Sequence, residues 1–126
     1  MRKYAFLKKP LKYDTDTVVY KIMLYVTEEG VYLYEYSSPD AVFSSFDRLY
    51  HSLADLYDDW NELIDERGWI KINDPLPYCQ HDAFLPIRVK GRAAGKPEWG
   101  SYEILENGNW VEYIPEIGRA SCRERV

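Results

Sequence analysis

A chain of 126 residues with 46% hydrophobic residues, 29% charged residues and a net charge of −5 can build one core and is too apolar to stay unfolded. At this size roughly two-thirds of the unfolded chain's surface is buried on folding, so neither disulfides nor a structural metal is required. No apolar run approaches the ~18 residues of a membrane-spanning helix, which excludes that class.

The last eleven residues, Glu116-Ile117-Gly118-Arg119-Ala120-Ser121-Cys122-Arg123-Glu124-Arg125-Val126, resemble the translation of a sequencing adapter whose next triplet is a stop. They are set aside as an artefactual tail. Residues 1–115 are then read as a single α+β domain, and where the natural chain ends beyond Pro115 is left open. The tail carries three Arg, two Glu and one Cys, so residues 1–115 have a net charge of −6. Cys79 is their only cysteine, and no intramolecular disulfide is expected of them.

In chain order, residues 1–13 carry Arg2, Lys3, Lys8, Lys9 and Lys12 and no acid. The apolar stretch Tyr4-Ala5-Phe6-Leu7 is too short for a signal peptide and ends at Lys8-Lys9-Pro10. The expectation is an exposed edge segment of a cytoplasmic protein. Val18 to Val26 and Val31 to Tyr36 are rich in β-branched and aromatic residues and read as two strands. Thr27-Glu28-Glu29-Gly30 joins them as a short hairpin loop with a glycine for positive φ.

From Phe46 the apolar spacing changes to that of a helix, at Phe46, Leu49, Tyr50, Leu53, Leu56, Tyr57, Trp60, Leu63 and Ile64. Two N-caps are available, Ser44 with Asp47 and Ser52 with Asp55, and Ser52 is favoured. Arg67 and Gly68 predict the helix end. Trp60 falls on the apolar stripe and is expected in the core.

Trp69-Ile70-Lys71-Ile72 resumes alternation as a short strand, and Asn73-Asp74-Pro75-Leu76-Pro77 must be irregular. The segment from Pro86 to Arg92 is another strand candidate, beginning on a proline. Asn107-Gly108 is the preferred pair for a two-residue type I′ turn. That register sets Ile104 opposite Val111, Tyr102 opposite Tyr113, Leu105 opposite Trp110 and Glu103 opposite Glu112.

Charge is unevenly spread. Residues 14–82 hold 15 acids against 4 bases, whereas residues 83–115 hold four of each. Much of the excess lies on the predicted helix, where Asp55, Asp58, Asp59, Glu62, Asp65 and Glu66 recur at spacings of three and four. Like charges so placed destabilise a helix slightly, and no Lys or Arg lies between Arg48 and Arg67 to relieve them. The stripe is either a solvated face or a docking face for a basic partner, with Asp55, Asp58, Asp59, Glu62 and Glu66 as the docking acids. A chain this acidic is repelled by phosphate backbones, so nucleic acid is not an expected partner, and neither is a membrane. Oligomeric state is not legible.

Arg88, Lys90 and Arg92 alternate onto one strand face and could grip phosphate. The bland alternative is that they answer the Glu103–Glu112 pair across the sheet. Tyr32, Tyr34 and Tyr36 share one face, read either as a recognition surface or as half-buried beneath the helix.

Tyr78-Cys79-Gln80-His81-Asp82 is the only cluster of catalytic or metal-binding residue types. A Cys/His pair can activate a thiolate, and Cys79, His81 and Asp82 could each ligate zinc. No second cysteine stands at ligand spacing, and neither a nucleophile elbow nor an HExxH pattern accompanies them. On an extended segment Cys79 and His81 would point the same way. No cofactor is implied, and an enzyme centred on these residues is the rival reading beside a structural loop.

The N-terminal hairpin, the acidic amphipathic helix, the stretch from Trp69 to Pro77 and Cys79-Gln80-His81-Asp82 before a C-terminal sheet together resemble small bacterial immunity proteins of toxin–immunity systems. That resemblance implies a cytoplasmic, non-enzymatic binder of a basic toxin surface, and it carries no site residue over. The expected fold is α+β: an antiparallel sheet of about five strands, from two hairpins and a connecting strand, with one main amphipathic helix on one face. The expected function is an acidic protein-binding module, immunity- or antitoxin-like, with the thiol- or metal-dependent enzyme and a structural domain as alternatives.

Overall fold

Alternation of large apolar residues drives the first hairpin. β2 (Val18–Thr27) and β3 (Gly30–Tyr36) pair antiparallel from Lys21↔Tyr36 to Thr27↔Gly30, with Glu28-Glu29 as the loop and Gly30 at φ +143°. The computed structural model describes residues 1–114, which fall into two compact units, Met1–Asp74 and a second beginning at Pro75.

In the first unit, β1 (Arg2–Lys12) pairs with β2 on one side. On its other side Arg2–Tyr4 pairs with β5 (Ile70–Ile72). With β4 (Phe46–Tyr50) on the far side of β3, the five-stranded antiparallel sheet runs β4-β3-β2-β1-β5. The N-terminal segment is therefore an interior strand and not the expected edge. Ala5 and Leu7 reach the core and hold it there, while Lys8, Lys9 and Lys12 stay exposed.

The helix α1 (Leu53–Trp60) starts where Ser52 predicts, the Ser52 Oγ accepting from the Asp55 backbone N–H at 3.2 Å. Its limits otherwise depart from the periodicity. Phe46, Leu49 and Tyr50 belong to β4, because the open side of β3 offers them a ladder from Val31↔Tyr50 to Glu35↔Phe46. At the other end the helix stops at Trp60 and tightens into a 3₁₀ turn at Asn61–Leu63. Ile64 then bridges Leu7, and the Asp65 N–H donates to the Phe6 carbonyl at 2.8 Å. Pairing with the β1 edge wins over another turn crowded with carboxylates. Gly68 does adopt positive φ, +68°, but in the turn closed by its own N–H on the Asp65 carbonyl.

Leu56 and Trp60 pack with Ala5, Leu7, Val19, Ile22, Leu24, Val31 and Leu33 in one core on the helix side of the sheet. Trp60 is 3% exposed, as its place on the stripe predicts. Tyr32, Tyr34 and Tyr36 alternate onto the opposite face, so they do not lie beneath the helix. Tyr34 and Tyr36 are buried there with Met23, and the rings of Tyr32 and Tyr34 stack at 6.1 Å.

In the second unit β6 (Ile87–Val89), β7 (Tyr102–Glu106) and β8 (Asn109–Tyr113) form a separate antiparallel sheet. Asn107 at φ +50° and Gly108 at φ +81° make the two-residue turn with both central residues at positive φ. The pairs Tyr102↔Tyr113, Glu103↔Glu112, Ile104↔Val111 and Leu105↔Trp110 are those the turn predicts. Gly91, at φ +79°, ends the β6 segment early and leads into a 3₁₀ turn at Arg92–Ala94.

The α+β class and the five-stranded antiparallel sheet with one helix on a face are as expected. The C-terminal hairpin, however, pairs with β6 in its own sheet. The tail read as adapter, 116–126, lies outside the described residues.

Candidate functional site

Asp55, Asp58 and Asp59 are exposed on α1, Glu62 is exposed on the 3₁₀ turn, and Glu66 is exposed in the turn before Gly68. The helix thus carries three of the five, and the early helix end removes Glu66 from the stripe. Asp65 pairs with Arg67 at 2.6 Å, which keeps its carboxyl below the usual carboxylate range. Among the described residues no ion pair neutralises Asp55, Asp58, Asp59, Glu62 or Glu66.

Asp59 is tied to the sheet. The Tyr50 hydroxyl donates to Asp59 Oδ2 at 2.8 Å and accepts from Trp60 Nε1 at 3.0 Å. On the same face of the sheet, Glu35 is 2% exposed in β3. It accepts from the Tyr13 hydroxyl and from Arg48 Nη2, the latter at 3.3 Å; the same Nη2 donates to the Tyr13 oxygen at 2.6 Å. The Arg48 guanidinium stands over the rings of Tyr13 (5.9 Å) and Trp60 (5.6 Å). Burial opposes its charge, yet Glu35 beside it holds Arg48 above the ordinary arginine range. Burial and the bond to Glu35 push Tyr13 up to about 12.

This chain of side chains, Tyr13–Glu35–Arg48–Trp60–Tyr50–Asp59, links the β1–β2 turn, β3, β4 and the acidic helix, and the sequence reading did not identify it. Two signals for it were available. Glu35 shares strand parity with Val31 and Leu33, so it must enter the buried face, and Arg48 is the only Lys or Arg between Lys21 and Arg67.

A second buried charge lies on β2. Lys21, 5% exposed, donates from Nζ to the Pro39 and Ala41 carbonyls at 2.9 and 3.0 Å and stands 5.1 Å over the Tyr36 ring. Burial lowers its pKa from 10.5 to about 8, against the opposing pull of Asp40. Between pH 8 and 10.5 the folded chain therefore binds fewer protons here than the unfolded chain, and stability rises with pH. Tyr13 acts in the opposite sense above pH 10, because the fold retains a proton that the unfolded chain has lost. Urea unfolding at a series of pH values is expected to show stability climbing by about 2 kcal/mol from pH 8 to 10 and falling beyond it. Lys21→Met flattens the rise and keeps the fall; a rise that persists unchanged in Lys21→Met would show that another group causes it.

In the second unit the Cys79 cluster does not keep the extended geometry expected of it. Tyr78 has φ +68°, residues 81–82 turn, and the Ala83 N–H donates to the Gln80 carbonyl at 3.4 Å. Cys79 is buried, bridging Arg88, whereas His81 is exposed and Asp82 half-buried. Among the described residues no group of three His, Cys, Asp or Glu side chains is placed to hold a metal ion.

Arg88, Lys90 and Arg92 do not present a common basic face. Arg88 bonds Glu103 at 2.7 Å and stacks over Trp110 at 3.7 Å, the cross-strand role expected of a base facing Glu103. Arg92, in the 3₁₀ turn, donates to the Tyr78 carbonyl and to Gln80 Oε1.

No helix among the described residues is long and apolar enough to cross a membrane. Comparison with protein-family models, with curated proteins and with solved structures finds no match for the chain.

Proposed function

We propose that the chain is a small acidic protein-binding module of the cytoplasm that docks a basic partner through Asp55, Asp58, Asp59, Glu62 and Glu66, in the manner of an immunity or antitoxin-like protein. One observation carries this reading: five exposed carboxylates stand on and just after one short helix, and among the described residues none of them is in an ion pair. Uncompensated like charge costs the fold a little and offers a partner complementary attraction, which speeds association and selects against acidic competitors.

The test reverses Asp58, Asp59 and Glu62 to Lys and compares capture of partners from the source cell, after circular dichroism has shown the fold intact. Each exposed pair contributes up to about 1 kcal/mol, so the triple reversal is expected to weaken binding by about ten- to a hundredfold. Retention of the same partners at unchanged affinity sinks the reading.

A further inference from the structure

The sheet order ends at β4, and among the described residues no strand pairs with its outer edge. Phe46, Asp47, Arg48 and Leu49 are all exposed, Phe46 at 41% and Leu49 at 54%. A terminal strand turns half of its backbone N–H and C=O groups outward as a template for another strand. Edges are commonly blunted by proline, lysine or a bulge, and β4 has neither proline nor lysine and runs in unbroken register along β3. Its one base, Arg48, is drawn onto Glu35 and between the rings of Tyr13 and Trp60.

The register sorts what an added strand would meet. Phe46, Arg48 and Tyr50 pair with Glu35, Leu33 and Val31 and so share the helix side, where Asp59 is bonded to Tyr50. Asp47 and Leu49 pair with Tyr34 and Tyr32 on the opposite face. Negative charge therefore stands beside the strand at the level of Tyr50, and Arg48 disfavours a cation two residues away.

We propose that β4 is the docking edge for an extended segment of the basic partner, which joins the sheet as a further strand and sets a Lys or Arg opposite Tyr50 within reach of Asp59. This rests on the acidic-face reading and specifies its geometry: main-chain bonds to β4 supply the affinity, and one cation supplies the choice of partner. An acidic segment is disfavoured by Asp47 and Asp59. A second copy of β4, paired antiparallel about its midpoint, would set two Arg48 side chains against each other.

The probe is a capped nine-residue peptide of alternating Thr and Val with a central Lys, added to the full chain and followed by amide hydrogen exchange. Two variants accompany it, one with Glu for Lys and one with alternate backbone nitrogens methylated. The expected result is about tenfold or greater slowing of exchange confined to amides within 46–50. The Glu peptide should bind about three- to fivefold more weakly, the worth of one exposed ion pair, and the methylated peptide should not bind. Asp59→Asn should erase the Lys preference and keep the protection.

Binding that is lost in the Asp58, Asp59 and Glu62 reversal, with no protection at 46–50 and no effect of methylation, would overturn the edge and leave the acidic face standing. Protection at 46–50 with equal affinity for the Lys and Glu peptides would overturn the basic partner. Protection that grows with protein concentration and no peptide would make the occupant a second copy, and overturn the proposal as well.

Discussion

Replacing Trp60 by alanine is expected to destabilise the protein by about 4 kcal/mol, the range found when a large buried aromatic is truncated. The ring is 3% exposed and packs with Leu56, Ala5, Leu7 and Ile22, so its loss leaves a cavity that the sheet cannot close by moving one side chain. Two further contacts go with it: the Nε1 bond to Tyr50, and the face that supports the Arg48 guanidinium. Trp60→Phe keeps most of the volume and drops the N–H, and should cost about 1 kcal/mol. Urea denaturation of both variants separates packing from polar support. A loss below about 1 kcal/mol in Trp60→Ala would mean that the helix is not anchored to the sheet through this residue.

The second large effect is expected at Gly30. Its φ of +143° is open to glycine and hostile to any side chain, and a Cβ built there would lie 2.5 Å from the Tyr50 carbonyl oxygen and 3.2 Å from Leu49 Cδ1. The nearest obstacle is backbone, so β4 itself must shift. Strain of this kind costs about 1–3 kcal/mol, and displacing β4 adds to it, giving about 3 kcal/mol for Gly30→Ala. Gly68→Ala is the control, because Gly68 also has positive φ, +68°, but nothing lies within 4 Å of its Cβ position. It should cost only about 1 kcal/mol. Thermal or urea unfolding checks the difference, and equal losses at the two sites would show that the approach of β4 contributes nothing. Gly30→Ala should also weaken peptide binding at the β4 edge, whereas Gly68→Ala should not.

Both variants act on β4 at Tyr50, one through its hydroxyl and the other through its carbonyl. Trp60 and Tyr50 hold the helix against β4, and Gly30 lets β4 close on the β2–β3 hairpin. The acidic residues inherit their placement from that arrangement, since Asp59 is bonded to Tyr50.

Features whose causes lie within a few residues were legible from sequence. Ser52 caps the helix because its hydroxyl reaches an N–H three residues on, Gly30 takes the positive φ expected of the glycine in the polar loop, although Thr27 and Gly30 themselves pair and leave only Glu28-Glu29 unpaired, and Asn107-Gly108 sets the pairing of β7 with β8 through the twist of its own turn. The acids at 55, 58 and 59 were legible as an exposed helical face for the same reason: helical spacing is a local property.

What the residues alone left open was decided by partners far along the chain. Phe46, Leu49 and Tyr50 fit a helical stripe as well as a strand, and only the unpaired side of β3 selects the strand. The helix ends at Trp60 because Ile64 and Asp65 find backbone partners at Leu7 and Phe6, more than fifty residues earlier. Glu35 is tolerable in the core because Tyr13 and Arg48 arrive from two other elements. A local pattern states which face a residue can take, whereas the satisfaction of a buried charge or a sheet edge depends on contacts that exist only once distant strands have paired.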